Sequence, residues 1–223
     1  MYTDFTNLPQ DWTDTWKFSD VNSTEGAAGT TRKAVWINSD TTTNPVFQIS
    51  KVHSFFGIRP AEDGPNRGVE IDAGDELAHF VQGIEAKIKQ VALERSTEWF
   101  GGREKTAVEI DAMFSSPLSE NEKYATRLKL KVTPKTRIER IVAVAPQAGL
   151  QEMLYTTASP DDISPKTDFY AVAVRLSKVW FMGRDAFGVI FALDRVMIDA
   201  TSKKPLPPAE TFYFGAPAVS TPA

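Results

Sequence analysis

The clearest pattern in the chain begins at Asp75, where Leu77, Phe80, Val81, Ile84, Ile88 and Val91 recur at intervals of three and four. That period aligns apolar side chains along one stripe of an α-helix. Glu85 and Lys89, four residues apart, are expected on its wet side as a mutually supporting pair. Asp72 or Asp75 is a candidate cap, and Gly101-Gly102 is expected to end the helix after Trp99 and Phe100. The spacing predicts about six turns.

Elsewhere the period falls to two. Residues 33–37 (KAVWI) and 46–50 (VFQIS) read as a strand pair around a polar loop, and 68–72 as a short strand. Residues 124–134 alternate cleanly, 138–146 form a more apolar strand, and 169–181 with 188–199 read as a hairpin. Trp12 and Trp16 are spaced for one helical face within an otherwise polar start. Several strands around one inserted helix, with no alternation of strand and helix, imply an α+β fold. Its sheet is expected to be predominantly antiparallel and barrel-like. The expected division is a polar N-terminal extension (1–32), one domain (33–200) and a Pro-rich tail (201–223).

Composition narrows the chemistry. The chain has no cysteine, which excludes disulfides, zinc–thiolate sites and cysteine nucleophiles. The two histidines, His53 and His79, lie in different predicted elements, so no metal or other cofactor is expected. No nucleophile elbow, P-loop or dinucleotide fingerprint is present. The acids around Glu70 and Asp72 suit a helix entry and Asp161-Asp162 a turn, so a non-catalytic role is expected. No apolar run reaches the length of a membrane span, and no secretion leader is visible, so an intracellular, non-membrane protein is expected.

Charge is informative only locally. The net charge of −4 argues against a uniformly basic surface, yet an acidic average can hide a basic patch. From Lys123 to Arg140 seven cations (Lys123, Arg127, Lys129, Lys131, Lys135, Arg137, Arg140) face a single acid, Glu139. Arg127, Lys129 and Lys131 fall at period two, which puts all three on one face of a strand. Such a row is either a solvated outer face or a rail for a phosphate backbone. In the hairpin, Trp180, Phe181 and Phe187 flank a turn that also carries Lys178 and Arg184. A lysine on the core face is awkward, so a bulge near Ser177 or Lys178 is expected to exchange the faces of Trp180 and Phe181. These rings either fill the interior or, interleaved with cations, offer stacking surfaces for unpaired bases.

The order of these segments resembles a known family. Residues 55–58 (FFGI), the helix closing on 96–102 (STEWFGG), the strand YATRLKLKV and the hairpin VRLSKVWFMGRDAFGVIFALDRVMI carry the resemblance. It is to single-stranded-DNA-binding proteins of OB-like fold encoded by large DNA viruses, related in type to phage replication proteins. The matching positions are Phe56, Gly57, Ile58, Trp99, Phe100, Trp180, Phe187, Gly188 and Val196. The resemblance implies sequence-independent binding of single-stranded DNA during viral replication or recombination, in the host cytoplasm (a viral factory) or nucleus. On that view Arg127, Lys129, Lys131, Lys135 and Arg137 meet phosphates, Trp180, Phe181 and Phe187 stack on bases, and Lys178 and Arg184 complete the expected nucleic-acid-binding set. Replication proteins are further expected partners, and Phe212, Tyr213 and Phe214 are candidates for contact between copies. The phage type carries an acidic C-terminal tail, whereas residues 211–223 (TFYFGAPAVSTPA) hold no acid, so regulation by such a tail is not among the expectations carried over. An assembly scaffold is the alternative reading.

Overall fold

The computed structural model describes residues 2–25, 31–39, 44–58, 67–121, 124–147 and 150–199. The candidate contact residues Phe212, Tyr213 and Phe214 lie outside them. Most of the described chain is strand: β1 (Lys17–Phe18), β2 (Asn22–Glu25), β3 (Thr31–Asn38), β4 (Val46–Ser54) and β5 (Gly68–Asp72) precede the helices. After α1 (Gly74–Glu94), α2 (Ser96–Phe100) and α3 (Ala107–Met113) come β6 (Phe114–Ser115), β7 (Leu118–Asn121), β8 (Tyr124–Lys131), β9 (Arg137–Gln147) and β10 (Leu150–Thr157). The long β11 (Thr167–Met182) and β12 (Ala186–Asp199) follow.

The predicted helix is present as α1, with Leu77, Val81, Ile84, Ile88 and Val91 buried along its stripe. It stops at Glu94, earlier than expected. Arg95 leaves helical geometry, and its guanidinium donates to the carbonyls of Phe18 and Ser19, each at 3.3 Å. Neither aspartate caps α1 by its side chain. Ala73 occupies the cap position, and Asp72 instead accepts from the Gly74 N–H at 3.1 Å. Glu85 is buried rather than wet, because the segment around Ser116 packs over it and its hydroxyl donates to the carboxylate.

The strands form one mixed sheet, antiparallel between β11 and β12 and parallel between β12 and β9. The expected pairing of residues 33–37 with 46–50 does not occur. Instead β4 and β3 lie end to end along one edge of β11, which pairs with Val46–Ser54 and then with Lys33–Trp36. The Asn44 amide closes the seam, donating to the carbonyls of Ile37 and Ser177 at 2.7 and 3.1 Å. The other edge of β11 pairs with β12 over almost its whole length. The neighbours of β12 on its far side include β8 and β9, and β8 pairs in turn with β5. Because β5 also meets β4 at Ile71 and Ser54, the hydrogen-bonded path β11–β4–β5–β8–β12 returns to its starting strand. Helix α1 packs beside β8.

Residue 32 marks no break, since β3 runs through it. The preceding residues join the core: Trp16 is buried, and Trp12 packs edge-on against Phe47 and stacked with Phe80, at centroid separations of 6.0 and 5.9 Å. Among the described residues no helix is long and apolar enough to cross a membrane.

Candidate nucleic-acid interface

The register of the β11–β12 hairpin decides which aromatics face solvent. From Leu176 to Val179, β11 advances three residues while β12, from Phe191 to Val189, advances two. This bulge lies where sequence placed it, and it inverts the alternation. Before it Val172, Val174 and Leu176 are buried; after it Val179 and Phe181 are. Lys178 and Trp180 are thereby turned outward.

Phe181 and Phe187 do not join them. Phe181 is 7% exposed and Phe187 fully enclosed, in a cluster with Trp99, Phe100 and Phe114. Their rings stack at 6.2 Å, and Phe100 packs edge-on to Phe187 at 5.3 Å. Burying each such ring contributes about 1.5–3 kcal/mol to folding. Neither has a face left for a base, so the expectation that they stack on nucleotides is corrected: they belong to the core.

Trp36 takes their place. On β3, Arg32, Ala34 and Trp36 alternate with the fully buried Val35 and Ile37, which sends the tryptophan outward. It is 41% exposed and sits opposite Lys178 in register, while Trp180 sits opposite Ala34. The Lys178 ammonium rests over the Trp36 ring at 5.1 Å. This residue was missed from sequence, although its period-two neighbours carried the signal.

The Trp180 ring is seated by a glycine. A Cβ at Gly188 would stand 2.9 Å from that ring and 2.7 Å from the Ser115 carbonyl oxygen, so any larger residue would displace the indole. Trp180 thereby forms one wall of a groove of about 270 Å³. Lys129 and Lys131 line the same groove, with Arg67, Ser115 and Ile190. The predicted alternation of β8 is observed: Leu128 and Leu130 are buried, and Lys129 and Lys131 are exposed.

Electrostatics tie these pieces together. Burial holds the Lys178 ammonium below its ordinary pKa, and the positive charges of Lys131 and Arg32 push it the same way. Among the described residues no carboxylate lies within ion-pair distance of Arg32, Lys129, Lys131 or Lys178.

The other predicted cations are placed differently. Arg127 pairs with Glu70 at 2.9 Å. Lys135 lies exposed in the turn after β8, and Arg137 stands next to Arg195 in register, close enough to influence Tyr2. Arg184 sits at the hairpin tip with its guanidinium alongside Gly101. The structure thus brings together Lys129, Lys131, Lys178 and Trp180 but not Lys135, Arg137 or Arg184.

A cleft of about 700 Å³ lies elsewhere, lined by Asp4, Asp72, Asp75 and Glu76 among others. Its carboxylates would repel a polyanion. His53 approaches Asp168 at 2.6 Å, and His79 is exposed on α1. Among the described residues no three His, Asp or Glu side chains group as metal ligands.

No family model matches the chain, and no curated protein matches it. Among solved structures it is similar to the single-stranded DNA-binding protein from bacteriophage Enc34, at 10% identity over 82% of this chain and 89% of that one, with a TM-score of 0.42. The same phage protein in complex with ssDNA is similar at 11% identity, over 82% of this chain and 94% of that one, with a TM-score of 0.41. These neighbours come from a bacteriophage, a source different from the large-DNA-virus family that the sequence motifs resemble.

Proposed function

We propose that this chain binds single-stranded DNA without sequence preference and without catalysis, along a path from Trp36 and Lys178 past Trp180 into the groove lined by Lys129 and Lys131. The observation that carries this reading is the joint placement of two outward tryptophans, Trp36 and Trp180, with four cations that have no described carboxylate within ion-pair distance. Bases stack on the indoles; phosphates lie against Arg32, Lys129, Lys131 and Lys178. Lys135, Arg137 and Arg184 extend the contact at its margins. Arg127, already paired, contributes less to phosphate binding. The closed pairing path is read as an OB-like barrel, a fold that presents such grooves on its outer face. Coating of single strands in replication or recombination is the matching role.

The magnitudes favour a base over the resting contact at Trp36. An ammonium over an exposed ring is worth about 0.5–1 kcal/mol, whereas a stacked base contributes about 1–3 kcal/mol. Lys178 can therefore leave the ring for a phosphate when a base arrives.

Fluorescence titration with oligo-dT tests the reading. If about five phosphates are neutralised, log affinity falls against log salt with a slope of about −3.5, and tryptophan emission is quenched on binding. Binding that ignores salt, or equal affinity for duplex, would rule it out.

A further inference from the structure

The groove does not end at Lys129. A second cavity, of about 600 Å³, shares Gly68, Lys129 and Leu130 with it and continues past β5 to Phe56 and Arg127. Phe56 is the largest departure from the burial rule among the phenylalanines described, at 60% exposure.

The ring is held out by its own loop. Gly57 adopts φ +67°, and a Cβ there would collide with the Ile163 carbonyl oxygen. Its N–H bonds to the Ser54 hydroxyl at 3.2 Å, and the next N–H, of Ile58, bonds to that same carbonyl at 3.1 Å. Ile58 is buried. With the backbone fixed on its C-terminal side, Phe56 cannot follow Ile58 inward. Arg127 then sits with its guanidinium 5.1 Å from the ring centroid, while Glu70 holds that guanidinium at 2.9 Å.

We infer that Phe56 and Arg127 form a second base-stacking subsite, which takes a nucleobase of the same DNA strand after it leaves the tryptophan groove. This rests on the reading above. The charge distribution selects a base over a phosphate: Glu70 already neutralises Arg127, so the subsite offers a flat, nearly neutral surface. Lys129, common to both cavities, supplies the cation for the phosphate between them. A preformed ring also loses little conformational freedom on binding, which favours affinity.

The experiment compares oligo-dT of about 16 nucleotides, within the range one such fold occupies, with an abasic strand of equal length. Full-length protein and the variants Phe56→Ala, Phe56→Tyr and Trp36→Ala are titrated against both. Phe56→Ala is expected to weaken oligo-dT binding about 5- to 150-fold, to leave abasic binding unchanged, and to be rescued by Phe56→Tyr. Unaltered oligo-dT affinity in Phe56→Ala, with Trp36→Ala still impaired, overturns this subsite and leaves the groove standing. An equal loss on both strands overturns it too, because the ring would then act on the backbone. If Phe56→Ala lowers the mass seen by light scattering at unchanged affinity, Phe56 is a protein contact and the inference falls. A wild-type chain that binds neither strand removes the groove along with it.

Discussion

Two groups of cations on the same sheet differ in what answers them. In the first, Arg195 donates twice to Glu139, at 2.9 and 2.6 Å, and Arg175 meets Asp194 at 3.0 Å. Arg140 meets Asp162 at 3.2 Å, and Asp194 also accepts from the Tyr2 hydroxyl at 2.7 Å. In the second, Lys129 and Lys131 line the groove beside Trp180, Lys131 and Arg32 lie close enough to Lys178 to repel its charge, and among the described residues none of the four has a carboxylate within ion-pair distance. The first group is arginine with planar, fixed partners; the second is mostly lysine, a mobile point charge. A row of basic residues therefore does not mark a binding surface. What distinguishes the proposed binding surface is charge without an ion-pair partner beside exposed rings.

The contrast breaks most sharply at Arg195. Its side chain and that of Glu139 are both largely buried, so Arg195→Ala leaves an isolated carboxylate in a poorly solvated place. The expected cost is about 3–5 kcal/mol of folding stability, read as a lower midpoint in urea, with oligo-dT affinity unchanged. A variant as stable as the parent, or one that loses DNA binding at full stability, would erase the distinction between the two groups.

The reverse behaviour is expected in the groove. Trp36→Ala removes a half-exposed ring and should leave the urea midpoint nearly in place, while weakening oligo-dT by about 1–3 kcal/mol. Smaller again is Lys131→Gln. It should lower the steepness of the salt dependence by about 0.7 and relieve repulsion on Lys178, so stability holds or rises slightly. A large loss of stability from either change would mean that these residues serve the fold instead.

How much of this could be read from the chain varies with the range of the interaction. Helix α1, the alternation of β8 and the bulge before Val179 follow from local period and from the incompatibility of Lys178 with a core face, so they were legible. The neighbours of each strand were not. That β4 and β3 share one edge of β11 depends on contacts more than a hundred residues apart, which no window on the sequence samples. The fates of Trp36 and Phe187 turned on the same point, because α2 and β6 bring Phe100 and Phe114 over Phe187, which is fully enclosed, while Trp36 stays 41% exposed. Glu85 looked wet for want of that knowledge as well. Period alone could have added Trp36, since Arg32, Ala34 and Trp36 alternate with Val35 and Ile37.

The finest test of the contrast is the proton on Lys178. Burial, Lys131 and Arg32 lower its pKa from the ordinary 10.5, so near the top of the alkaline range the folded chain binds fewer protons there than the unfolded chain. Linkage then gives a definite sign: between the lowered value and 10.5 this lysine makes stability rise with pH. A phosphate arriving in the groove reverses the bias, because it favours the charged ammonium. Oligo-dT binding in that window should therefore take up protons, seen as an affinity that declines with pH earlier than expected for ordinary lysines. Lys178→Arg keeps its charge throughout and should flatten the decline. An unchanged pH profile in Lys178→Arg would place the phosphates away from Lys178, and with them the strand's path over Trp36.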